Sequence, residues 1–244
     1  QLAWVELKLF LREPLTVVFS LALPLIILFV LGGVFGNEPT GPGEEVVFRG
    51  VGPMTYYVPA YLALVVASVS VISIPTHLAG NRERGVLKRF RASSIEAWEV
   101  ALAQLAVAFV MSVASGVILM IAASFVYDFA PAESLIGLFG VFLLLVLGFA
   151  ALGIFLGAVL PTARAAQAVG MLAWFVMLFL GGAGPPPEVL TEGMRVVSDF
   201  TPLWHAVVIT QDVWLGLDAG LSWLIFAAIT LVSAGLAIRF FRGE

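Results

Sequence analysis

The chain has 244 residues, of which 61% are hydrophobic and 11% charged, and its formal net charge is −4. So few polar side chains cannot cover a water-soluble globule of this size, and the charge gives no reason to expect a nucleic-acid partner. Because the chain has no cysteine, it forms neither disulfides nor thiolate metal sites. These observations point to a single membrane domain.

The first predicted element is an amphipathic helix over residues 1–13. Leu2, Val5 and Leu9 share one face of it, whereas the charged residues fall elsewhere. This pattern predicts an interfacial helix that lies along the inner membrane surface. Pro14 then ends the helix and allows a turn into the first span.

Six long uncharged runs follow. Each reaches or nearly reaches the roughly 20 apolar residues that a helix needs to cross a hydrocarbon core of about 30 Å. They are too uniformly apolar for the strands of a membrane barrel, which alternate polar and apolar residues. We therefore predict an all-α membrane protein with spans at residues 15–31, 54–79, 100–127, 135–160, 165–184 and 219–238.

The basic residues divide unequally between the two sides of these spans. Only Arg49 and Arg195 lie on one side. The positive-inside rule places the other side, with both termini, in the cytoplasm. The ten residues on that side are Lys8, Arg12, Arg82, Arg84, Lys88, Arg89, Arg91, Arg164, Arg239 and Arg242.

The second span begins with a group of aromatic residues, Tyr56, Tyr57 and Tyr61, and contains Pro59 and Pro75. Tyrosines at the outer end of a span usually form the aromatic belt at the membrane surface. The alternative is that they line a route for an amphiphilic ligand. The residues alone leave both interpretations open.

The last external segment, residues 185–217, contains an apolar run that is too short to cross. This run, residues 200–211, is bounded by charged residues and broken near its start by Pro202. Lengths of about 10 to 14 residues suggest a re-entrant or interfacial helix. We predict a re-entrant segment that dips into the outer leaflet.

Several kinds of chemistry are missing from the sequence. No ionisable residue lies in the middle of a span, which argues against ion-driven transport. His77 and His205 are far apart in sequence and do not suggest a metal pair. There is no phosphate-binding loop and no nucleophile elbow, so we predict that this chain is not an enzyme and does not hydrolyse ATP by itself.

The cytoplasmic loop after the second span combines apolar and basic residues. On a helix that starts near Arg84, the side chains of Val86, Leu87 and Phe90 share one sector, and basic side chains project from the other. A basic loop that contacts anionic lipid explains the charge. A groove in a partner protein would contact both the apolar face and the basic face, and so explains why the loop has both.

Part of this loop resembles the ERG-x-L-x-x-x-x-A-[ST] segment that follows the second span of ABC-2 type permeases, the membrane subunits of ATP-driven exporters. The matching run is Glu83, Arg84, Gly85, Val86, Leu87, Lys88, Arg89, Phe90, Arg91, Ala92 and Ser93. The likeness extends to the amphipathic first helix, the start of the second span and Thr201-Pro202-Leu203, and so covers essentially the whole chain. Ser94 replaces a proline that is common in the family, which leaves the end of the helix less sharply defined.

The resemblance implies a coupling helix at residues 82–94. In the family this helix sits in a cleft of a separate ATPase subunit, and we expect the residues from Glu83 to Arg91 to take this role. The resemblance also implies two ATPase copies that bind ATP and Mg²⁺, a second permease copy or a homologous permease, and a place in the bacterial cytoplasmic membrane.

By the same resemblance, spans two and five line the substrate route at the centre of a dimer. Span five then contributes Trp174, Phe175, Met177 and Phe179, although a helix that packs against lipid has the same composition. The expected function is export of a lipophilic or amphiphilic compound. Alternatives are export of a lipid-linked polysaccharide or peptide, a membrane-embedded enzyme acting on lipid, and a membrane anchor or assembly factor without transport activity.

Overall fold

The computed structural model describes residues 18–38, 47–85, 97–218 and 220–242. Within these ranges, six helices are long and apolar enough to cross a membrane, which confirms the predicted six-span helical fold. They are α1 (Val18–Phe35), α2 (Pro53–Glu83), α3 (Ala97–Val126), α4 (Leu135–Val159), α5 (Ala163–Leu180) and α8 (Leu221–Arg242), and the shorter α6 (Glu192–Ser198) and α7 (Pro202–Leu215) lie between α5 and α8. The predicted interfacial helix at residues 1–13 and residues 86–94 of the predicted coupling helix lie outside the described residues.

Helix α2 is the central helix of the bundle. Its most apolar stretch of 18 residues is entirely buried, whereas most of the corresponding stretch in each other span is not. Helices α1, α3, α4, α5 and α7 all pack against α2. The exposed apolar surface of the single chain therefore belongs mainly to the other spans, and α2 is enclosed by protein.

Two of the spans contain a π-helical turn just before a proline. In α2 the turn is Val69–Ser73 and the proline is Pro75, and in α1 the turn is Val18–Ala22 and the proline is Pro24. Proline has no N–H to donate to the carbonyl four residues earlier, so the α-helical hydrogen-bond pattern is interrupted there. Both helices are thus irregular inside the bundle.

Two glycines allow neighbouring helices to approach the irregular part of α2. A Cβ atom on Gly153 of α4 would overlap the carbonyl oxygen of Ser70, and one on Gly170 of α5 would overlap that of Val71. Because both neighbours are backbone atoms, they cannot rotate away as a side chain would. Only glycine fits at these two contacts.

The connections between the helices gather at two ends of the bundle. Asn37 donates a hydrogen bond to the carbonyl of Asp128, and Trp214 of α7 donates one to Ala130 at 2.8 Å. The turn between α4 and α5 lies at the opposite end, where Arg82 contacts it. Following the charge-based prediction, we call these the outer end and the cytoplasmic end.

Candidate functional site

At its cytoplasmic end, α2 stops within the motif that carries the family resemblance. Glu83 is its last residue, Arg84 caps it, and Gly85 follows with a φ of +69°. Glycine adopts this left-handed conformation without steric cost, and it turns the chain out of the helix. The remaining candidate coupling residues, Val86, Leu87, Lys88, Arg89, Phe90 and Arg91, lie outside the described residues.

Two neighbouring side chains join this end of α2 to the turn between α4 and α5. The guanidinium group of Arg82 donates to the carbonyl oxygens of Ala158 and Leu160, the latter at 2.5 Å. The carboxylate of Glu83 accepts a hydrogen bond from the N–H of Ala163 at 3.2 Å. These contacts satisfy backbone groups that the end of α4 and the start of α5 leave without intrahelical partners. Neither contact was predicted from the sequence.

The three candidate tyrosines of α2 are buried inside the bundle at the outer end. Tyr56, Tyr57 and Tyr61 are each at most 1% exposed. The hydroxyls of Tyr56 and Tyr57 donate to the carbonyls of Gly182 and Gly184, at 3.1 and 2.9 Å. The hydroxyl of Tyr61 has no hydrogen-bond partner among the described residues. Two of the three tyrosines thus hold the chain that follows α5 against α2.

The four candidate residues of α5 divide between two faces of the helix. Trp174 and Met177 are buried, whereas Phe175 is 42% and Phe179 55% exposed. The indole N–H of Trp174 donates to the hydroxyl of Ser68 on α2 at 2.5 Å. In the single chain, the exposed pair is therefore open to a ligand, to lipid or to a second subunit, and the buried pair is not.

An ion pair at the outer end was not predicted from the sequence. One guanidinium nitrogen of Arg49 lies 2.5 Å from a carboxylate oxygen of Asp212 in α7, and another donates to the side-chain oxygen of Gln211 at 3.3 Å. The side-chain amide of Gln211 in turn donates to the backbone carbonyl of Tyr56 at 3.1 Å. Burial raises the pKa of Asp212, and Arg49 opposes part of this effect. The sequence offered one signal, because Arg49 is one of only two basic residues predicted outside.

The short apolar run before the last span forms helix α7. Its 14 residues extend about 21 Å at 1.5 Å per residue, which is too short to cross the hydrocarbon core. Leu203, Val207 and Ile209 are fully buried, and the helix packs against α2, α4 and α8. A helix over this run is confirmed, and its entry into the outer leaflet stays a prediction.

Comparison with known proteins identifies the family to which the chain belongs. Residues 1–215 match the family model described as ABC-2 type transporter, so the match includes α1 to α7 and the motif at the end of α2. A daunorubicin resistance ABC transporter permease protein from Streptomyces coeruleorubidus is 25% identical over 253 aligned positions, which cover 99% of this chain and 84% of that protein. Since the family match spans most of the sequence, the chain belongs to the ABC-2 type transporter family.

Proposed function

We propose that the chain is the permease subunit of an ABC exporter that moves a lipophilic or amphiphilic compound out of the cytoplasm or the inner leaflet. Two copies of a separate ATPase subunit bind ATP and Mg²⁺ and supply the energy. A second copy of the permease, or a homologous permease, completes the assembly. Family membership is the observation that carries this proposal. The relative named for daunorubicin resistance favours a drug-like compound over a lipid-linked polysaccharide or a peptide.

The ATPase contact is proposed for the loop that begins at Gly85. By resemblance, Val86, Leu87 and Phe90 bury in a cleft of the ATPase, and the basic residues pair with acids around it. The glycine turn that ends α2 supports this placement, because the loop leaves the helix immediately before these residues. The central position of α2 also supports it, since movement of this helix affects all the helices packed around it.

An apolar stripe along α5 is the proposed surface for substrate and for the second permease. The stripe consists of Leu172, Phe175, Val176 and Phe179, which are between 42% and 66% exposed. These positions follow the i, i+3, i+4, i+7 spacing of one helix face. Aromatic side chains offer large apolar surfaces to a ligand, and Phe175 and Phe179 are the proposed direct contacts.

The buried candidates line the route in a second arrangement of the same helices. A ligand reaches Tyr56, Tyr57, Tyr61, Trp174 and Met177 when the chain after α5 separates from α2. This separation breaks the two hydrogen bonds from tyrosine hydroxyls to glycine carbonyls. Breaking each of these bonds costs about 1 kcal/mol when the separated groups find new partners. Ligand contacts of ordinary strength offset this loss.

Reconstitution of the permease with its ATPase in proteoliposomes tests the proposal. We expect an amphiphilic fluorescent dye to stimulate ATP hydrolysis and to move across the membrane away from the ATPase side. A Phe175→Ala, Phe179→Ala double variant should raise the dye concentration that gives half-maximal stimulation. A matched Leu224→Ala, Leu231→Ala variant, on the exposed face of α8, should leave this concentration unchanged.

Two results would contradict the proposal. A complex that binds the ATPase but transports no compound from a broad screen would indicate a membrane anchor or assembly factor. Transport of only a lipid-linked polysaccharide or a peptide would replace the proposed substrate class.

A further inference from the structure

We infer that Arg82 and Glu83 form a clamp that carries movement of the cytoplasmic end of α2 to α4 and α5. The inference rests on the proposed function, because it assumes that an ATPase subunit moves this end of α2. It makes Glu83, a residue of the coupling motif, a positioning residue within the membrane subunit.

The charges of the clamp match the two helix ends that it contacts. A helix ends in carbonyl groups with a partial negative charge, and the Arg82 guanidinium lies on those of Ala158 and Leu160 at the end of α4. A helix begins with N–H groups that carry a partial positive charge, and the Glu83 carboxylate accepts from the N–H of Ala163 at the start of α5. Two adjacent residues of opposite charge thus hold two different helices.

Close packing beside the clamp limits sliding between the helices. A Cβ atom on Gly157 of α4 would lie 2.9 Å from the Cβ atom of Leu78 in α2, and one on Gly80 would lie 3.4 Å from that of Ala163. Only residues 160–162 separate α4 from α5. A displacement of the clamp therefore acts on both helices at once.

Two nearby arginines lack this geometry and show that it is specific. Arg84 donates to the side chain of Asn81 within the same helix, at 3.1 Å. Arg164, in the first turn of α5, is exposed and makes no hydrogen bond or ion pair within the part of the chain that the structure describes. A charged residue at the cytoplasmic end of the bundle therefore does not by its position alone connect α2 to α4 and α5.

The first test compares variants of Glu83 in the reconstituted complex of permease and ATPase. The measured quantity is the amount of amphiphilic dye transported per ATP hydrolysed. Glu83→Ala removes the acceptor for the Ala163 N–H, and we expect this ratio to fall about fivefold or more, as when two linked sites lose their coupling. Glu83→Gln keeps an acceptor and should retain most of the ratio. Arg164→Gln, which removes a charge from the first turn of α5, should give the same ratio as the wild type.

A disulfide provides a reversible replacement for the contact. The chain has no cysteine, and the 3.4 Å between the two Cβ positions at Gly80 and Ala163 is close to the mean of about 3.8 Å in disulfides. In a Glu83→Ala background, Gly80→Cys and Ala163→Cys should restore the transport ratio on oxidation and lose it again on reduction. Mass spectrometry establishes that the bond has formed.

The outcomes separate the clamp from other roles of Glu83. A formed disulfide that does not restore the ratio overturns the inference. A loss of ATPase co-purification in Glu83→Ala that the oxidised cysteine pair does not restore also overturns it, because this result would place Glu83 at the ATPase interface. Arg82 gives an independent measurement, since Arg82→Met should lower the ratio and Arg82→Lys should largely preserve it. A wild-type complex that transports nothing overturns the proposed function, and the clamp with it, before any variant is made.

Discussion

The indole nitrogen of Trp174 donates a hydrogen bond to the hydroxyl of Ser68 across the contact between α5 and α2, at 2.5 Å. Ser68 donates in turn to the carbonyl of Leu64 at 2.7 Å. The ring of Phe19 in α1 packs edge to face on Trp174, with 5.1 Å between centroids. Because Trp174 and Ser68 are both buried, an indole N–H that lost this acceptor would remain unpaired, so the contact stabilises the position of α5 on α2.

The first prediction concerns this hydrogen bond. Ser68→Ala removes the acceptor and leaves the buried indole N–H of Trp174 without its partner. We expect the free energy of unfolding in detergent to fall by about 1 to 2 kcal/mol. The control is Ser124→Ala, because Ser124 is exposed on α3 and donates only to a carbonyl of its own helix. Equal stability of the two variants would contradict the assigned role.

The second prediction compares two glycines of α4. Gly153→Ala places a methyl group against the backbone carbonyl of Ser70, so we expect a loss of about 1 to 3 kcal/mol in unfolding free energy. Gly140 has no atom within 4 Å of an added Cβ, and Gly140→Ala should be neutral or slightly stabilising because alanine favours helices. Thermal unfolding in detergent measures both. A tolerated Gly153→Ala would show that α4 and α2 do not pack this closely.

The spans could be predicted from the sequence because length and apolarity are local properties. The burial of α2 could not, since hydropathy does not distinguish a helix surrounded by helices from one surrounded by lipid. The bond from the Tyr57 hydroxyl to the Gly184 carbonyl joins residues 127 positions apart, and neither the aromatic belt nor the ligand route suggested by the sequence includes it. Helical spacing does separate Trp174 from Phe175, but it does not say which face is buried.

The third prediction concerns the ion pair at the outer end. Arg49→Gln leaves the buried carboxylate of Asp212 without a counter-ion, and we expect a loss of about 2 kcal/mol in unfolding free energy. This is less than for fully buried pairs, because the Arg49 side chain is 30% exposed. Adding Asp212→Asn to this variant should recover most of the loss. Equal losses in the single and double variants would show that the unpaired carboxylate of Asp212 is not the cause of the loss.

The same pair gives a dependence on pH. Burial raises the pKa of Asp212, and removal of Arg49 takes away the main effect that lowers it. A carboxyl group with a raised pKa in the folded state binds its proton more tightly when folded, so stability lost above this pKa returns as the pH falls through it. We expect Arg49→Gln to gain stability relative to the wild type from neutral toward acid pH. The double variant with Asp212→Asn should show no such gain.

The fourth prediction is the orientation in the membrane. Since the chain lacks cysteine, single variants Ser94→Cys and Thr191→Cys report one position each. An impermeant maleimide should label only the Thr191 variant in intact cells, and both variants once the membrane is opened. Thr191 is exposed, so a missing signal there would not result from burial. Labelling of Ser94→Cys in intact cells would show that the orientation is opposite to the predicted one.

The last prediction tests the proposed ATPase contact. Leu87→Ala with Phe90→Ala removes two apolar anchors, and we expect the affinity for the ATPase to fall by about 2 kcal/mol or more, measured by co-purification and by dye-stimulated hydrolysis. Charge reversal at Lys88 and Arg89 should mainly change the rate of association with the ATPase and its salt dependence. Charges at the rim of an interface act mainly on the diffusional encounter of the two proteins. If the loop only contacts anionic lipid, the alanine pair leaves the complex intact and charge reversal disturbs insertion alone. Normal dye-stimulated ATP hydrolysis by a correctly inserted Leu87→Ala, Phe90→Ala variant would therefore contradict the coupling-helix assignment.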